Sequence, residues 1–353
     1  MKNDIYLQNG YFNAEYIFQI PEPIIIIIGG RGTGKTYGIL KELLNRSDCY
    51  NELFLHVRRT QTQLDIINKT EYSSYQEINS DTGDCVYPFS INKYVAGYHR
   101  AITNESGKLI PDPDGKLLGM TAALSTFSNL RSVSMSSIKT IFYDEFIPQV
   151  SEKIMKYEGQ AVLNMYETVN RNRELQGENA VKMIMASNAN TLYSDVLQSF
   201  GILNNVAKML QTGKEVSRIK SKGIAIIQLF HSEISWLKSK TVLYKANTDE
   251  MFNEMSIHNR DIVLTSENIC SMPIKEYKPL FAYGGISVYE HKSADKYYVT
   301  YHKEGGIDEV RSDIIGRQYI NRIYRRVYHA YNCGRIAFES LESVHIFRSI
   351  WGV

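Results

Sequence analysis

The chain has 353 residues, enough for two domains, and its content of 43% hydrophobic and 22% charged residues is ordinary for a globular protein. The net charge is only +2, so the overall composition does not require a polyanionic partner. No apolar run approaches the roughly 20 residues that span a bilayer, and the first residues lack the apolar core of a signal peptide, so no membrane partner is expected and the cytoplasm is the expected compartment.

Short apolar runs alternate with helical patterns in the first half of the chain. Residues 24–28 are five consecutive isoleucines, and similar runs follow at 52–59, 136–146 and 180–190. Between the first two runs, "TYGILKELLNR" has apolar residues at helical spacing. Such runs are typical of buried parallel strands, and their alternation with helices predicts an α/β fold with crossover helices.

The local pattern of residue types changes between about residues 77 and 125. The turn-forming segments "DTGD", "NESGK" and "DPDGK" separate short alternating runs such as "YVAGYH". We predict that this region is a β-hairpin insertion on the edge of the sheet.

Basic residues become frequent after residue 205. Residues 208–222 include five basic side chains and one acid, and the tail from Arg311 to Arg348 has seven arginines against three acids. Either run suits a solvated helix face, the commoner explanation, or contact with a phosphate backbone. We interpret the chain as a first domain of residues 1–207, a basic linker of 208–245 and a smaller domain of 246–353.

The smaller domain combines strand and helix patterns, which predicts an α+β fold. The segment "GGISVYEHKSADKYYVTYHK" has two alternating runs across a polar turn and predicts two strands. Farther along, Ile320, Tyr324, Val327 and Tyr331 have helical spacing, which predicts the apolar face of one long helix.

A glycine-rich segment, "GGRGTGKT", directly follows the isoleucine run and fits the strand–GxxxxGK[ST]–helix pattern. Glycines let backbone N–H groups close around a phosphate at a helix N-terminus. Lys35 is expected to bind the β- and γ-phosphates, and the Thr36 hydroxyl to bind Mg²⁺. The spacing therefore predicts a site for ATP with Mg²⁺, formed by Gly29, Gly30, Arg31, Gly32, Thr33, Gly34, Lys35 and Thr36.

An acidic pair, Asp144 and Glu145, ends the apolar run "KTIFYDEF". Carboxylates at the carboxyl ends of parallel strands lie where ligands bind in open α/β sheets. We expect Asp144 to hold Mg²⁺ and Glu145 to act as general base toward the attacking water. An acidic pair alone is a weak signal, but together with the glycine-rich segment it favours an enzyme that hydrolyses ATP.

Polar residues after two other elements add candidates. Ser187 and Asn188 end the run "MIMASN" and either sense the γ-phosphate or form a plain strand-end turn. Arg171 and Arg173 follow a predicted helix, and either one is a surface arginine or a finger that reaches the γ-phosphate of a neighbouring subunit.

The ordered motifs resemble those of a known family. The segments are "IIIIGGRGTGKTYGI", "LFLHVRRTQTQL", "TIFYDEF", "ETVNRNRE" and "MASNA", with weaker likeness in "NEMSIHNRDIV" and "GRIAFESLESVHIFR". Together they resemble the DNA-packaging motor ATPases of phi-29-like short-tailed phages. These are relatives of the large terminase subunits within the additional-strand, catalytic-glutamate (ASCE) P-loop motors.

The resemblance implies roles for individual residues. Arg31 matches an arginine that terminase-like motors carry inside the phosphate loop, and Arg171 matches a proposed trans-acting finger. Arg131 matches a basic residue that faces the neighbouring active site. Arg58 and Arg59 also match, although the segment "TQTQ" after them is less basic than in relatives, which does not favour a DNA grip there.

The resemblance also implies partners and a setting. It implies a homo-oligomeric ring, expected to be a pentamer, that docks transiently on the portal (connector) protein of a procapsid in the host cytoplasm. The ring would drive double-stranded DNA inward, and a structural packaging RNA is a further candidate partner. The C-terminal domain would have an RNase H-like fold without nuclease activity and would bind DNA or the portal.

Three alternatives stay open from the sequence. One is a terminase-type ATPase whose C-terminal nuclease is active, and another is a DNA helicase. The third is a protein that binds ATP as a structural clasp without turnover.

Overall fold

The chain folds into two compact units in the computed structural model. The first comprises residues 1–200 and 209–261, and the second comprises 201–208 and 262–353. The residues that the structure describes are 5–130, 133–149, 152, 155–188, 194–247 and 269–352.

A ten-stranded sheet is the centre of the first unit. Its strands are β1 (Ile24–Gly29), β2 (Leu53–Arg58), β3 (Val86–Asn92), β4 (Val95–Thr103), β5 (Leu109–Pro111), β6 (Gly119–Ala123), β7 (Ile138–Asp144), β8 (Lys182–Asn188), β9 (Val216–Ile219) and β10 (Ile224–Leu229). The order is β3-β4-β6-β2-β7-β8-β1-β10-β9, with β5 paired to β4. The six strands from β6 to β10 in this order pair in parallel, so the predicted α/β class is confirmed.

One extra strand separates the phosphate-loop strand from the strand that ends in the acidic pair. β8 lies between β1 and β7. The registers align Gly29 with Asn188 and Asp144 with Ala186. The polar strand ends therefore meet at one edge of the sheet, as parallel pairing requires.

Helices connect the strands of the first unit. They are α1 (Glu15–Gln19), α2 (Lys35–Tyr50), α3 (Gln61–Ile67), α4 (Gln76–Thr82), α5 (Glu158–Asn170), α6 (Asp195–Ser199), α7 (Leu203–Thr212), α8 (Glu233–Lys238) and α9 (Val242–Ala246). Residues 203–208 of α7 are assigned to the second unit. α2 begins after Gly34, which has a φ of +82°, and it ends at Asn51 in the left-handed region. Its apolar side packs with the buried isoleucines of β1 in one core.

The region from 77 to 125 forms the expected edge of the sheet from Val86 onward, whereas its first residues belong to α4. β3 and β4 make an antiparallel hairpin, and β4 pairs with β6, which returns the chain to the parallel part. Residues 208–245 differ from the expected linker, because β10 pairs in parallel with β1 and β9 completes that edge. The run "IAIIQL" of β10 is fully buried and so belongs to the first unit rather than to a separate connection.

The second unit contains a smaller mixed sheet. Its strands are β11 (Tyr277–Tyr283), β12 (Ile286–His291), β13 (Tyr297–Thr300), β14 (Asp308–Glu309) and β15 (Ile336–Phe338), and its helices are α10 (Ile314–Ile323), α11 (Arg325–Asn332) and α12 (Leu341–Trp351). β11, β12 and β13 form an antiparallel meander, and β14 and β15 add parallel strands at its two edges. The two-strand hairpin is confirmed, and the RNase H-like fold stays a prediction.

The predicted single C-terminal helix is wrong. The chain breaks at Tyr324, which ends α10 and precedes α11 with a φ of −110° and a ψ of 25°. The Tyr324 hydroxyl lies 3.4 Å from the carbonyl oxygen of Leu280 and 3.2 Å from a carboxylate oxygen of Asp308. Contact with β11 and β14 thus replaces the helical face that the spacing indicated.

The membrane finding is separate from the fold. Within the described ranges, no helix is both long and apolar enough to cross a bilayer.

Candidate active site

The phosphate loop is held by its own lysine. Gly32 and Gly34 have φ values of +68° and +82°, which side chains other than glycine rarely adopt. The Lys35 ammonium donates to the carbonyl oxygens of Gly29 at 2.9 Å and Gly30 at 2.8 Å. Thr33 is buried, and its hydroxyl donates to Gly30 at 3.0 Å, so its side chain closes the loop. The loop therefore folds locally as the GxxxxGK[ST] pattern predicts.

Burial changes the acidity of Lys35. Removal from water lowers the pKa of its ammonium to about 7, against the opposing effect of Asp144 and Glu145. A phosphate chain next to this group would favour its charged form.

The Thr36 hydroxyl and the Asp144 carboxylate are neighbours at the end of β7. Thr36 Oγ1 donates to Asp144 Oδ1 at 3.0 Å, and Asp144 is buried. Burial raises the pKa of Asp144, whereas the Arg58 guanidinium acts in the opposite direction. One hydroxyl and one carboxylate fit Mg²⁺, which usually takes few protein ligands together with waters and phosphate oxygens.

Arg58 links the two carboxylates and was not among the expected active-site residues. Its Nη1 donates to Asp144 Oδ2 at 2.8 Å, and its Nη2 donates to Glu145 Oε2 at 2.6 Å. Arg58 ends β2, which pairs directly with β7. The sequence does show an arginine at the end of a predicted strand. It does not show which residues this arginine contacts, because its partners are 86 and 87 residues away in sequence.

Glu145 has an uncommon backbone conformation. Its φ of +54° lies in the left-handed region, where a residue other than glycine is strained by about 1–3 kcal/mol. Its side chain is 39% exposed, so its carboxylate combines an ion pair with access to solvent. This position suits a group that orients a water molecule.

A buried arginine fixes the chain after Glu145. Arg59 Nη2 donates to the carbonyl oxygens of Glu145 and Phe146 at 3.1 and 2.8 Å. Its Nε donates to Glu158 at 2.9 Å, and its Nη1 donates to Glu152 at 2.8 Å. The Tyr143 hydroxyl also donates to Glu158. Because Arg59 is only 2% exposed, it supports the site from within the protein rather than gripping DNA at the surface.

The two polar residues at the end of β8 contact both halves of the site. The Lys35 ammonium donates to Asn188 Oδ1 at 3.1 Å. Ser187 is buried, where its hydroxyl accepts from the Ile147 N–H at 3.1 Å and lies 3.3 Å from the Ile147 carbonyl oxygen. β8 thus joins the phosphate loop to the segment that follows Glu145.

The remaining arginines lie elsewhere. Arg173 is buried, and its guanidinium donates to the carbonyl oxygens of Ile138 and Ser136 at 2.8 and 2.7 Å. Arg171 is exposed, and its Nη2 lies 3.4 Å from the Val133 carbonyl oxygen. Arg131 lies outside the described residues.

A cavity of about 1220 Å³ opens over the phosphate loop. The N-terminal segment forms one wall, because the Phe12 N–H donates to the Thr33 carbonyl oxygen at 2.9 Å. A side chain at Gly34 would meet the ring of Tyr11 at 3.0 Å, so this glycine is also needed for close packing. The 40% exposed ring of Tyr11 offers an aromatic surface inside the cavity. The first residues show no motif, so nothing in the sequence indicates this wall.

Comparison with known proteins gives the family. The model of the Podovirus DNA encapsidation protein (Gp16) family matches residues 8–262, which is more than half of the chain. The chain belongs to this family. The resemblance expected from the motifs is therefore confirmed.

A curated relative is the DNA packaging protein of Bacillus phage phi29. It is 25% identical over 254 residues, which cover 71% of this chain and 66% of the relative. The match thus spans just under two thirds of that relative's length.

Two solved structures share the fold over nearly the whole chain. The phi-28 gp11 DNA packaging motor has a TM-score of 0.63 at 15% identity, with 98% of this chain and 99% of that chain covered. The bacteriophage phi-29 viral genome packaging motor assembly also has a TM-score of 0.63, at 18% identity and 97% coverage of both chains. At these identities the likeness establishes the fold.

Proposed function

We propose that this protein is an ATPase that drives double-stranded viral DNA into a procapsid. The observation that carries the proposal is the meeting of Lys35, Thr36, Asp144 and Glu145 at one sheet edge, in a chain of a DNA encapsidation family. In this proposal, the phosphate loop binds the ATP that supplies the energy. Membership of the family indicates that this energy drives the packaging of DNA.

The residues present fit ATP and Mg²⁺. Gly32 and Gly34 free the loop's N–H groups to face phosphate oxygens, and Lys35 brings the positive charge. Thr36 and Asp144 would hold Mg²⁺, which neutralises charge on the phosphates when it is bound. Tyr11 offers a ring on which a purine base stacks.

Glu145 is the proposed general base. Its exposed carboxylate accepts a proton from the attacking water, a contribution of about 10²–10⁴ in rate for general bases. Arg58 controls where that carboxylate points, because it is the partner that binds Glu145 and Asp144 together.

Ser187 and Asn188 are proposed to report the state of the phosphates. Asn188 contacts Lys35, and Ser187 contacts the backbone two residues after Glu145. In this proposal, a change at the phosphate loop reaches the base through these two hydrogen bonds and the short chain segments that join them.

Arg171 is proposed to act on the next subunit of a ring. Arg173 bonds to Ile138 at the start of β7, and Asp144 ends that seven-residue strand. A strand of this length spans about 20 Å. Arg171 therefore lies near the end of the parallel strands that is opposite the phosphate loop of its own subunit. This position suits action on the active site of a neighbouring subunit. The same role for Arg131 is a proposal from the family resemblance.

The partners follow from the family. The proposed assembly is a homo-oligomeric ring, expected to be a pentamer, that docks on the portal protein in the host cytoplasm and binds duplex DNA, with a packaging RNA as a further candidate. The C-terminal unit, with an RNase H-like fold as a proposal, would bind DNA or the portal. Sequence-independent DNA binding implies strong salt dependence.

Two rivals differ in their response to nucleic acid. A terminase with an active nuclease would nick plasmid DNA when Mg²⁺ or Mn²⁺ is added, and a helicase would be stimulated by single strands. Within the described ranges, no three His, Cys, Asp or Glu side chains group as a metal site. Asp249, Glu254 and Asp261, acids of the C-terminal region, lie outside those ranges.

The experiment is steady-state ATP hydrolysis without nucleic acid, with duplex DNA and with single-stranded DNA, at low and high salt. Stimulation by duplex DNA that fades at high salt supports the proposal, whereas stimulation by single strands alone supports a helicase. Glu145→Gln should retain nucleotide binding and lose turnover. Absence of turnover in the wild type under all these conditions would favour the structural clasp.

A further inference from the structure

A lysine outside the glycine-rich segment contacts the phosphate loop. Lys238 is the last residue of α8, and its ammonium donates to the carbonyl oxygen of Arg31. A methyl group on Gly32 would lie only 2.6 Å from that ammonium. The loop is thus bordered by Lys238 next to Arg31 and Gly32, and by Tyr11 next to Gly34.

Contacts with the N-terminal segment fix the place of α8 within the first unit. The Ser232 hydroxyl, at the N-cap of this helix, donates to the Gly10 carbonyl oxygen at 3.0 Å. Gly10 itself packs against Glu233, because a side chain there would meet the Glu233 Cβ at 2.9 Å. The same N-terminal segment continues to Phe12, which bonds to the loop. Lys238 therefore reaches the loop from an anchored element.

Three cations lie in the loop or at its border. Arg31 and Lys35 belong to the loop, and Lys238 adds a third cation at its border. Burial lowers the pKa of Lys238, and the nearby Arg31 lowers it further. Among the described residues, Lys238 forms no ion pair with an acid. Three cations around a phosphate-binding loop repel one another, and a polyphosphate would relieve this repulsion.

We propose that Lys238 is a further phosphate-binding residue, supplied by α8 to the nucleotide held in the loop. The proposal rests on the nucleotide function argued above and extends it to a residue far from the motif. A helix-terminal lysine that merely caps a loop carbonyl is the alternative. The two readings differ in what removal of the ammonium does to phosphate affinity.

The test is calorimetric titration of the full chain with ATP and with inorganic tripolyphosphate, both in Mg²⁺. Lys238→Ala should bind each about tenfold more weakly than the wild type, the usual loss for one charge-assisted hydrogen bond. Lys238→Arg, which keeps the charge, should recover most of the affinity. Tripolyphosphate has no base, so a loss there assigns the contact to phosphate.

Lys240→Ala is the matched control. Lys240 carries the same charge two residues later, but its ammonium lies 3.5 Å from the centre of the Trp236 ring. This variant should bind ATP like the wild type, and the unfolding temperature of each variant without nucleotide reports the integrity of the fold. Equal affinities in the Lys238→Ala and Lys240→Ala variants would overturn the inference. Failure of the wild type to bind ATP or tripolyphosphate would instead reject the nucleotide function itself.

Discussion

At the scale of single residues, the charge balance of the site depends on Arg58. This one guanidinium neutralises Asp144 and at the same time holds Glu145, whose backbone is strained. Lysine keeps the charge but lacks the planar fork that binds two carboxylates at once. We expect Arg58→Lys to lower ATP turnover about tenfold or more, because Glu145 loses its fixed direction. Hydrolysis rates and nucleotide affinity, measured side by side, separate this effect from loss of binding.

A surface arginine provides the comparison for this prediction. Arg100 also binds two acids, Asp48 and Asp84, but it is far more exposed than Arg58. Arg100→Lys should leave turnover unchanged, since exposed ion pairs contribute little. Wild-type turnover in Arg58→Lys would show that the guanidinium is not needed to position the base.

Lys35 gives a prediction about pH. Its pKa in the folded chain is about 7 against an ordinary value of 10.5, so the unfolded chain holds more protons between these values. This depressed lysine therefore destabilises the fold below pH 7, and that cost disappears as the pH rises toward 10.5. Phosphate raises the pKa again, so nucleotide binding should take up about half a proton at pH 7 and close to one proton at about pH 8 to 9. Calorimetry in buffers with different ionisation enthalpies measures this uptake.

Lys182 is the control for the proton uptake, because it is a second lysine whose pKa is lowered by burial. Burial lowers its pKa to about 8, but its ammonium donates to the carbonyl oxygens of Ile20 and Glu22, away from the phosphate loop. Lys182→Met should therefore leave the proton uptake on nucleotide binding unchanged. If Lys182→Met abolishes the proton uptake, the proton binds Lys182 and not Lys35.

At the scale of secondary-structure elements, one buried network joins β2, β7 and α5. Arg59 follows β2, Tyr143 belongs to β7, and Glu158 begins α5. Removing one partner of a buried ion pair leaves the other charge uncompensated and costs about 3–5 kcal/mol. We expect Arg59→Met to lower the free energy of unfolding by about that amount. Denaturant-induced unfolding measures the loss.

The double variant Arg59→Met with Glu158→Gln tests the cause. It removes the charge that the single variant leaves buried, so it should be more stable than Arg59→Met alone. If both variants lose the same stability, packing of the Arg59 stem rather than the ion pair holds the three elements together.

Most of the elements that form the site could be predicted from the sequence. The strand β1, the phosphate loop and α2 were predictable because their signals are local: a β-branched run, glycines at fixed spacing and a helical pattern. β7 and β8 were predictable for the same reason, and parallel pairing then brings their polar ends together. Local sequence patterns, together with the parallel pairing of the strands, are therefore enough to predict most of the candidate site.

The missed features all depend on pairing between distant parts of the chain. β10 was assigned to a linker because basic residues precede it, and only its pairing with β1 makes it a central strand. Arg58 reaches the carboxylates because β2 happens to lie beside β7. The break at Tyr324 results from contacts with Leu280 and Asp308, which helical periodicity does not register.

At the scale of the whole molecule, the position of Arg171 is the basis of the proposed ring. Arg171 is exposed near the start of β7, whereas the phosphate loop lies at the opposite end of the parallel strands. An arginine finger at this place would serve the site of a neighbouring copy, as a head-to-tail ring allows. Each active site would then combine Glu145 of one subunit with Arg171 of the next.

This arrangement predicts complementation between two inactive variants. Arg171→Ala keeps the base but lacks the finger, and Glu145→Gln keeps the finger but lacks the base. In randomly mixed rings, up to about one quarter of the interfaces would pair an intact base with an intact finger. Mixing the two variants should therefore restore ATP hydrolysis that neither shows alone, measured with duplex DNA present. No recovery in mixtures that form rings would mean that Arg171 does not act across subunits, because an intact pair would then be present and silent.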